Sequence, residues 1–165
     1  MAGARHIIAV DPVPYKLERA KEIGATHTAA SLPEAQMMLP ELTMGRNADV
    51  VILTPGVLRG EMIAQACACG SKDARIVVTA ISPFSAMDVQ LNLFNLAMFN
   101  QSVLGTVFGS QSPRVQVPNL LNLYEAGQLK IDELITQEYS LDQVQQGYDD
   151  QAAGTIIRGV VKFDA

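Results

Sequence analysis

Apolar residues in this chain come in short unbroken runs, separated by stretches in which they recur every three or four positions. His6-Ile7-Ile8-Ala9-Val10 is such a run and ends at Asp11. It predicts a strand over 6–10, followed by a turn at 12–15. A helix then runs to about Ile23, with Leu17, Ala20 and Ile23 on a buried face and Lys16, Glu18, Arg19, Lys21 and Glu22 on the other. Gly24 stops it, and 26–30 form a second, shorter strand. Ser31-Leu32-Pro33-Glu34 has the spacing of a capping box. The helix it opens carries Ala35, Met38, Leu39 and Leu42 at helical spacing. Pro40 inside it costs about 3 kcal/mol in a regular interior turn, which predicts a kink or an early end. Predicted strands 49–53 and 74–79 hold the apolar runs 50–53 and 76–78, the pattern of parallel strands covered on both faces. Helix 57–69 joins them, and loops 54–56 and 80–83 follow them. Beyond lie a strand at 102–108, a helix at 118–126 stopped by Gly127, a strand at 134–139, a helix at 141–152 and a strand at 156–163.

Strand and helix alternating at this spacing predict an α/β protein with a doubly wound parallel sheet. Ligands of such sheets bind outside the carboxyl ends of the strands, which singles out Asp11 and the loops 54–56 and 79–83. An acidic residue ending the second strand of a dinucleotide fold accepts hydrogen bonds from the adenosine ribose, and it repels a 2′-phosphate. That would make the cofactor NAD rather than NADP. The competing role for Asp11 is local, a carboxylate facing the positive end of the following helix. The glycine-rich phosphate loop belongs about 20 residues earlier. Counting back from Asp11 runs past Met1, and no Gly-x-Gly-x-x-Gly occurs elsewhere. Either Asp11 is not that acid, or the first strand and its loop lie outside this sequence and residues 1–5 close the helix that follows them.

Composition narrows this further. The 165 residues are 48% hydrophobic and 18% charged, with a net charge of -5. There is no basic footprint for nucleic acid. No apolar run approaches the roughly 20 residues of a membrane helix, and residues 1–5 lack the core of a signal peptide, so a cytoplasmic protein is the expectation. Cys67 and Cys69 stand two apart on a predicted helix and do not face each other; with His6 and His27 they read as structural residues, not metal ligands. The sequence holds no Tyr-x-x-x-Lys, no Gly-x-Ser-x-Gly and no His-Glu-x-x-His. Arg158 can pair with a phosphate through a bidentate fork, or be a surface arginine.

The order of pieces resembles a known family. Ile7-Ile8-Ala9-Val10-Asp11, Lys16, Ala20-Lys21-Glu22-Ile23-Gly24-Ala25-Thr26, Leu42-Thr43, Ala48-Asp49-Val50-Val51-Ile52, Gly105-Thr106-Val107-Phe108-Gly109 and Ile157-Arg158-Gly159-Val160 together look like the carboxy-terminal portion of a zinc-type medium-chain alcohol dehydrogenase. Ala9-Val10-Asp11-Pro12-Val13-Pro14 and Gly127-Gln128-Leu129-Lys130 point to the NDMA-dependent, class III-like branch. The resemblance implies a Rossmann-type sheet lacking its first strand, over 1–126, and a segment 127–165 that returns to an absent catalytic domain. It implies hydride transfer between an alcohol or aldehyde and NAD, with Asp11 and Lys16 at the adenosine ribose and Thr54, Gly56 and Val57 on the adenine side. Backbone groups of Thr79, Ile81, Thr106 and Phe108 would meet the nicotinamide, and Arg158 the pyrophosphate. The family's zinc ligands have no counterpart in this sequence. A homodimer or higher oligomer would form through the strand at 102–108. The rival from another class is a non-catalytic fragment that only dimerises or binds nucleotide weakly. A methyltransferase, which also places an acid after its second strand, is disfavoured by matches continuing through Arg158.

Overall fold

The computed structural model describes residues 3–163. The elements follow in the order β1 (Ile8–Val10), α1 (Pro14–Glu22), β2 (His27–Ala29), α2 (Leu32–Leu42), β3 (Ala48–Leu53), α3 (Gly60–Cys69) and β4 (Gly70–Val78). After these come α4 (Leu93–Met98), β5 (Ser102–Gly105), α5 (Pro113–Glu125), β6 (Ile135–Tyr139), α6 (Val144–Ala153) and β7 (Arg158–Val161). The chain is α/β, and its ladders β3–β4–β5 and β6–β7 are parallel. It forms two compact units: one from the chain up to Thr28 together with the chain from Ser112, the other Ala29–Gln111.

In the first unit β1 pairs with β2. Thr26 fastens the pair, its side-chain oxygen accepting from the Ile7 amide at 2.8 Å while its own amide donates to the Ile7 carbonyl at 2.9 Å. Pro14 opens α1, where a missing N–H is harmless. The amphipathic reading of α1 holds only in part. Leu17 and Ala20 are half-buried, but Ile23 lies past the last helical residue and is exposed. Residues 3–5 are irregular, not helical, and residues 1–2 lie outside the described ones. The last helix of the unit ends on Gly154, whose φ of 71° is the left-handed conformation that favours glycine.

The core of the second unit is Leu53, Leu58, Ile63, Ala66, Ala74 and Ile76, from β3, β4, α3 and, through Leu58, the loop before α3. Ser31 caps α2 through the Glu34 amide, as expected, but Glu34 returns its carboxylate to the amide of Ala30, one residue beyond the cap. The helix runs through Pro40 to Leu42 without ending early. Pro40 sits so near the end that it removes one ladder bond, and Thr43 closes the turn with both its amide and its hydroxyl on the Leu39 carbonyl.

Several boundaries differ from the sequence reading, among them the start of β4, which lies at Gly70 and not at 74. Helix α3 begins at Gly60, three residues later than expected, because 57–59 belong to the preceding loop. Strand β5 ends at Gly105, so Val107 lies outside the ladder and Phe108 opens a 3-10 turn, Phe108–Ser110. Helix α5 starts at Pro113 and passes through Pro118. Strand β3 is also not covered on both faces, since Val50 is 39% and Ile52 59% exposed. Its one ladder partner among the described residues is β4.

Candidate nucleotide site and its supports

In the first unit Asp11 follows β1 directly. One carboxylate oxygen accepts from the Val13 amide at 2.9 Å and fixes the turn into α1. The other has no hydrogen-bond partner among the described residues. Asp11 therefore performs the local role and still holds an acceptor available for a ribose hydroxyl. Lys16 lies one turn into α1 and makes no ion pair among the described residues. Its amine rests beside Gly154, where a built Cβ would stand 3.8 Å from it. That places a cation at the carboxyl end of α6, which the helix dipole favours. Arg158 opens β7, is exposed, and has no carboxylate partner among the described residues. The unit thus presents one free carboxylate oxygen and two uncommitted cations, a set suited to a ribose and a phosphate.

The strand bearing Arg158 is held by a buried tyrosine. Tyr139, only 5% exposed, donates its hydroxyl to Asp150 at 2.6 Å, and Gln146 donates to that carboxylate's other oxygen at 2.9 Å. Gly159, next to Arg158, has no room for a side chain; a Cβ there would lie 2.7 Å from the Tyr139 ring. Gly159→Ala is therefore expected to lower stability by about 1–3 kcal/mol, the usual cost of overpacking. An unchanged denaturation midpoint would contradict this packing. The hydrogen bond to Asp150, then burial, pushes the Tyr139 hydroxyl up to about 12. The neutral form is the one stabilised. The contribution is complete below the ordinary tyrosine value near 10 and is lost as pH rises through 12. Stability should fall between those limits, and Tyr139→Phe should remove that part of the fall.

In the second unit the parallel register puts the loops after β3, β4 and β5 at one end of the sheet. Thr79 donates both its amide, at 3.2 Å, and its hydroxyl, at 3.0 Å, to the Leu53 carbonyl. The Thr106 amide donates to the Val78 carbonyl at 3.0 Å. Both N–H groups are already engaged, so Thr79 and Thr106 offer a ligand only their carbonyls. Ile81 is exposed in its loop, and its amide is not hydrogen-bonded among the described residues. Gly56 stands in open space and Val57 is exposed. Asp88, Ser82 and Gly60, which tie these loops together, escape a sequence reading. Their one trace is a glycine at the opening turn of a good helix.

A resident metal does not fit the residues at hand. Among the described residues no three of His, Cys, Asp and Glu gather as a ligand set. Cys69 points its thiol at the Leu32 carbonyl 3.6 Å away, and burial pushes both Cys67 and Cys69 up, away from the thiolate a metal needs. His27 leans on His6 with ring centroids 5.4 Å apart and shares a hydrogen bond with the Thr26 hydroxyl.

Known proteins bear on this arrangement. The model of a family described as zinc-binding dehydrogenase matches residues 1–126. The chain belongs to the zinc-binding dehydrogenases. It is 41% identical to an NDMA-dependent alcohol dehydrogenase of Amycolatopsis methanolica, over 99% of this chain and 44% of that protein. The crystal structure of benzyl alcohol dehydrogenase from Acinetobacter calcoaceticus superposes with a TM-score of 0.87 at 29% identity, covering 98% of this chain and 44% of that one. A zinc-binding dehydrogenase from Sinorhizobium meliloti, solved bound to NADP, aligns at 25% identity with a TM-score of 0.77, over 98% of this chain and 46% of that one. The chain thus spans under half the length of these relatives. It corresponds to the carboxy-terminal, Rossmann-like region of zinc-type medium-chain alcohol dehydrogenases. No helix among the described residues is long and apolar enough to cross a membrane.

Proposed function

We propose that this zinc-binding dehydrogenase chain supplies the NAD-holding part of a cytoplasmic alcohol dehydrogenase. The reaction would be hydride transfer between an alcohol or aldehyde and NAD. The observation that carries the cofactor reading is Asp11, which ends β1 and keeps one carboxylate oxygen without a partner after fixing the turn. Bound NAD accepts or returns the hydride at its nicotinamide ring. Everything else this chain contributes is placement. The free oxygen of Asp11 accepts from the adenosine ribose, with Lys16 beside it, and Arg158 forks onto the pyrophosphate. Thr54, Gly56 and Val57 line the adenine side with loop backbone. Backbone groups of Thr79, Ile81, Thr106 and Phe108 would hold the nicotinamide end. Zinc, which the family name implies, is not held by the described residues of this chain.

A carboxylate at the ribose repels a 2′-phosphate, so NAD should bind at least about tenfold tighter than NADP. The NADP-bound relative makes this choice informative. Calorimetric titration of both nucleotides into the protein decides it; equal affinities would remove Asp11 from the ribose.

The same reading includes a homodimer or higher homo-oligomer formed through β5. That strand is last in its sheet, all four of its residues are exposed, and Leu104 is 44% exposed. An open apolar edge invites pairing with a second copy. Because Val107 lies outside the ladder, the disruptive change belongs at Leu104. Leu104→Lys is expected to convert the dimer to monomer in sedimentation velocity, and a dimer of unchanged stability would place the interface elsewhere.

A further inference from the structure

We infer that Asp88 is a positioning residue for the nicotinamide-side loop, acting through the backbone amide of Gly60. The inference rests on the reading of Thr79 and Ile81 as cofactor-facing. Helix α3 opens at Gly60, and Arg59 before it supplies no side-chain cap. The first amides of a helix have no partner within it. Here the Gly60 amide donates to the Asp88 carboxylate at 3.0 Å, from 28 residues further along the chain. A carboxylate at the positive end of a helix is stabilised there. The approach excludes any side chain at residue 60, since a Cβ would lie 2.6 Å from the Asp88 carbonyl oxygen.

This tie is the last of three that run in the same order along both segments. Thr79 is fastened to Leu53, Ser82 donates its hydroxyl to the Leu58 carbonyl at 2.6 Å, and Asp88 holds Gly60. They fasten the loop after β4, at Thr79, Ser82 and Asp88, to the end of β3, the loop after it and the start of α3. Apolar packing does only part of this: Ala80 and Leu91 rest against the core at the two ends of the loop, but Ile81, Phe84 and Met87 between them are exposed, and a cavity of about 330 Å³ lies against the loop, lined by Leu58, Ile63, Val78, Ala86, Val89 and Leu91 among others. A loop bridged over a cavity keeps its place through its polar ties. With Asp88 gone, Thr79 stays fastened to Leu53, but the stretch beyond it is held by the Ser82 hydroxyl alone, and the Ile81 backbone groups lose part of their fixed direction.

The test compares wild type, Asp88→Ala and Asp88→Asn in the full chain. Two measurements are made: hydrogen exchange at the Gly60 amide without nucleotide, and calorimetric affinity for NAD and for ADP-ribose, which lacks the nicotinamide. Asp88→Ala is expected to speed Gly60 exchange about tenfold or more and to weaken NAD about tenfold, with ADP-ribose unchanged. Asp88→Asn, which keeps an acceptor oxygen, restores most of both. If Asp88→Ala does not fold, Asp88→Glu, which displaces the carboxylate by one methylene, carries the same comparison. Unchanged Gly60 exchange, or equal weakening of NAD and ADP-ribose, overturns the positioning role. Wild-type protein that binds neither ligand overturns the cofactor reading itself, while its Gly60 exchange still reports whether Asp88 holds the helix.

Discussion

Residues 1–165 on their own, supplied with NAD, zinc and a primary alcohol, are expected to produce no measurable reduced nicotinamide. The described residues offer no ligand set for a metal. A metal that polarises a reacting oxygen contributes several kcal/mol to the transition state. Its loss corresponds to a rate on the order of a thousandfold lower or worse. The sheet adds a second reason. Apolar side chains of β3 are exposed, Ile52 most of all, and its backbone has only β4 as ladder partner among the described residues. An uncovered apolar strand invites association with other copies. Turnover near that of an intact dehydrogenase, measured by absorbance of the reduced cofactor, would show that a catalytic group in this chain has gone unrecognised.

Asp11→Ala should weaken NAD binding by about 1–3 kcal/mol, the span of a charge-assisted hydrogen bond. The affinity for NADP should change less or improve, because the carboxylate that repels the 2′-phosphate is gone. The substitution also removes the acceptor of the Val13 amide, so part of the loss could be a looser turn into α1. Asp11→Asn separates the two effects. It retains an oxygen for Val13 and loses the charge, so it should keep stability while narrowing the preference for NAD. If neither variant moves either affinity, Asp11 serves the turn alone.

The strongest elements were legible because their residues act locally. Ser31 and Glu34 cap α2, Gly24 and Gly127 take positive φ after their helices, and the apolar runs at β3 and β4 became parallel neighbours. What the sequence hid depends on partners far along the chain. Gly60 opens α3 because Asp88 receives its amide, and no local signal announces that. Tyr139 reads as an ordinary strand aromatic until Gly147 and Gly159 leave it a slot and Asp150 takes its hydroxyl. Pro40 predicts a kink or an early end and Pro118 a helix start, yet both helices run through these prolines. Asp11 was found because an acid ending a short apolar run has few uses. That it serves the turn and leaves one oxygen open became visible only with the hydrogen bonds in place.

Hydride transfer is the central claim, and isotope tracing tests it most directly. This chain, joined to a zinc-binding catalytic part of an alcohol dehydrogenase, is incubated with NAD and an alcohol deuterated at its carbinol carbon, and the reduced cofactor is examined by nuclear magnetic resonance. The account predicts deuterium on the nicotinamide ring, delivered to one face and not diluted by solvent. Reduced nicotinamide without the label, or oxidation of the alcohol with the cofactor untouched, would contradict it.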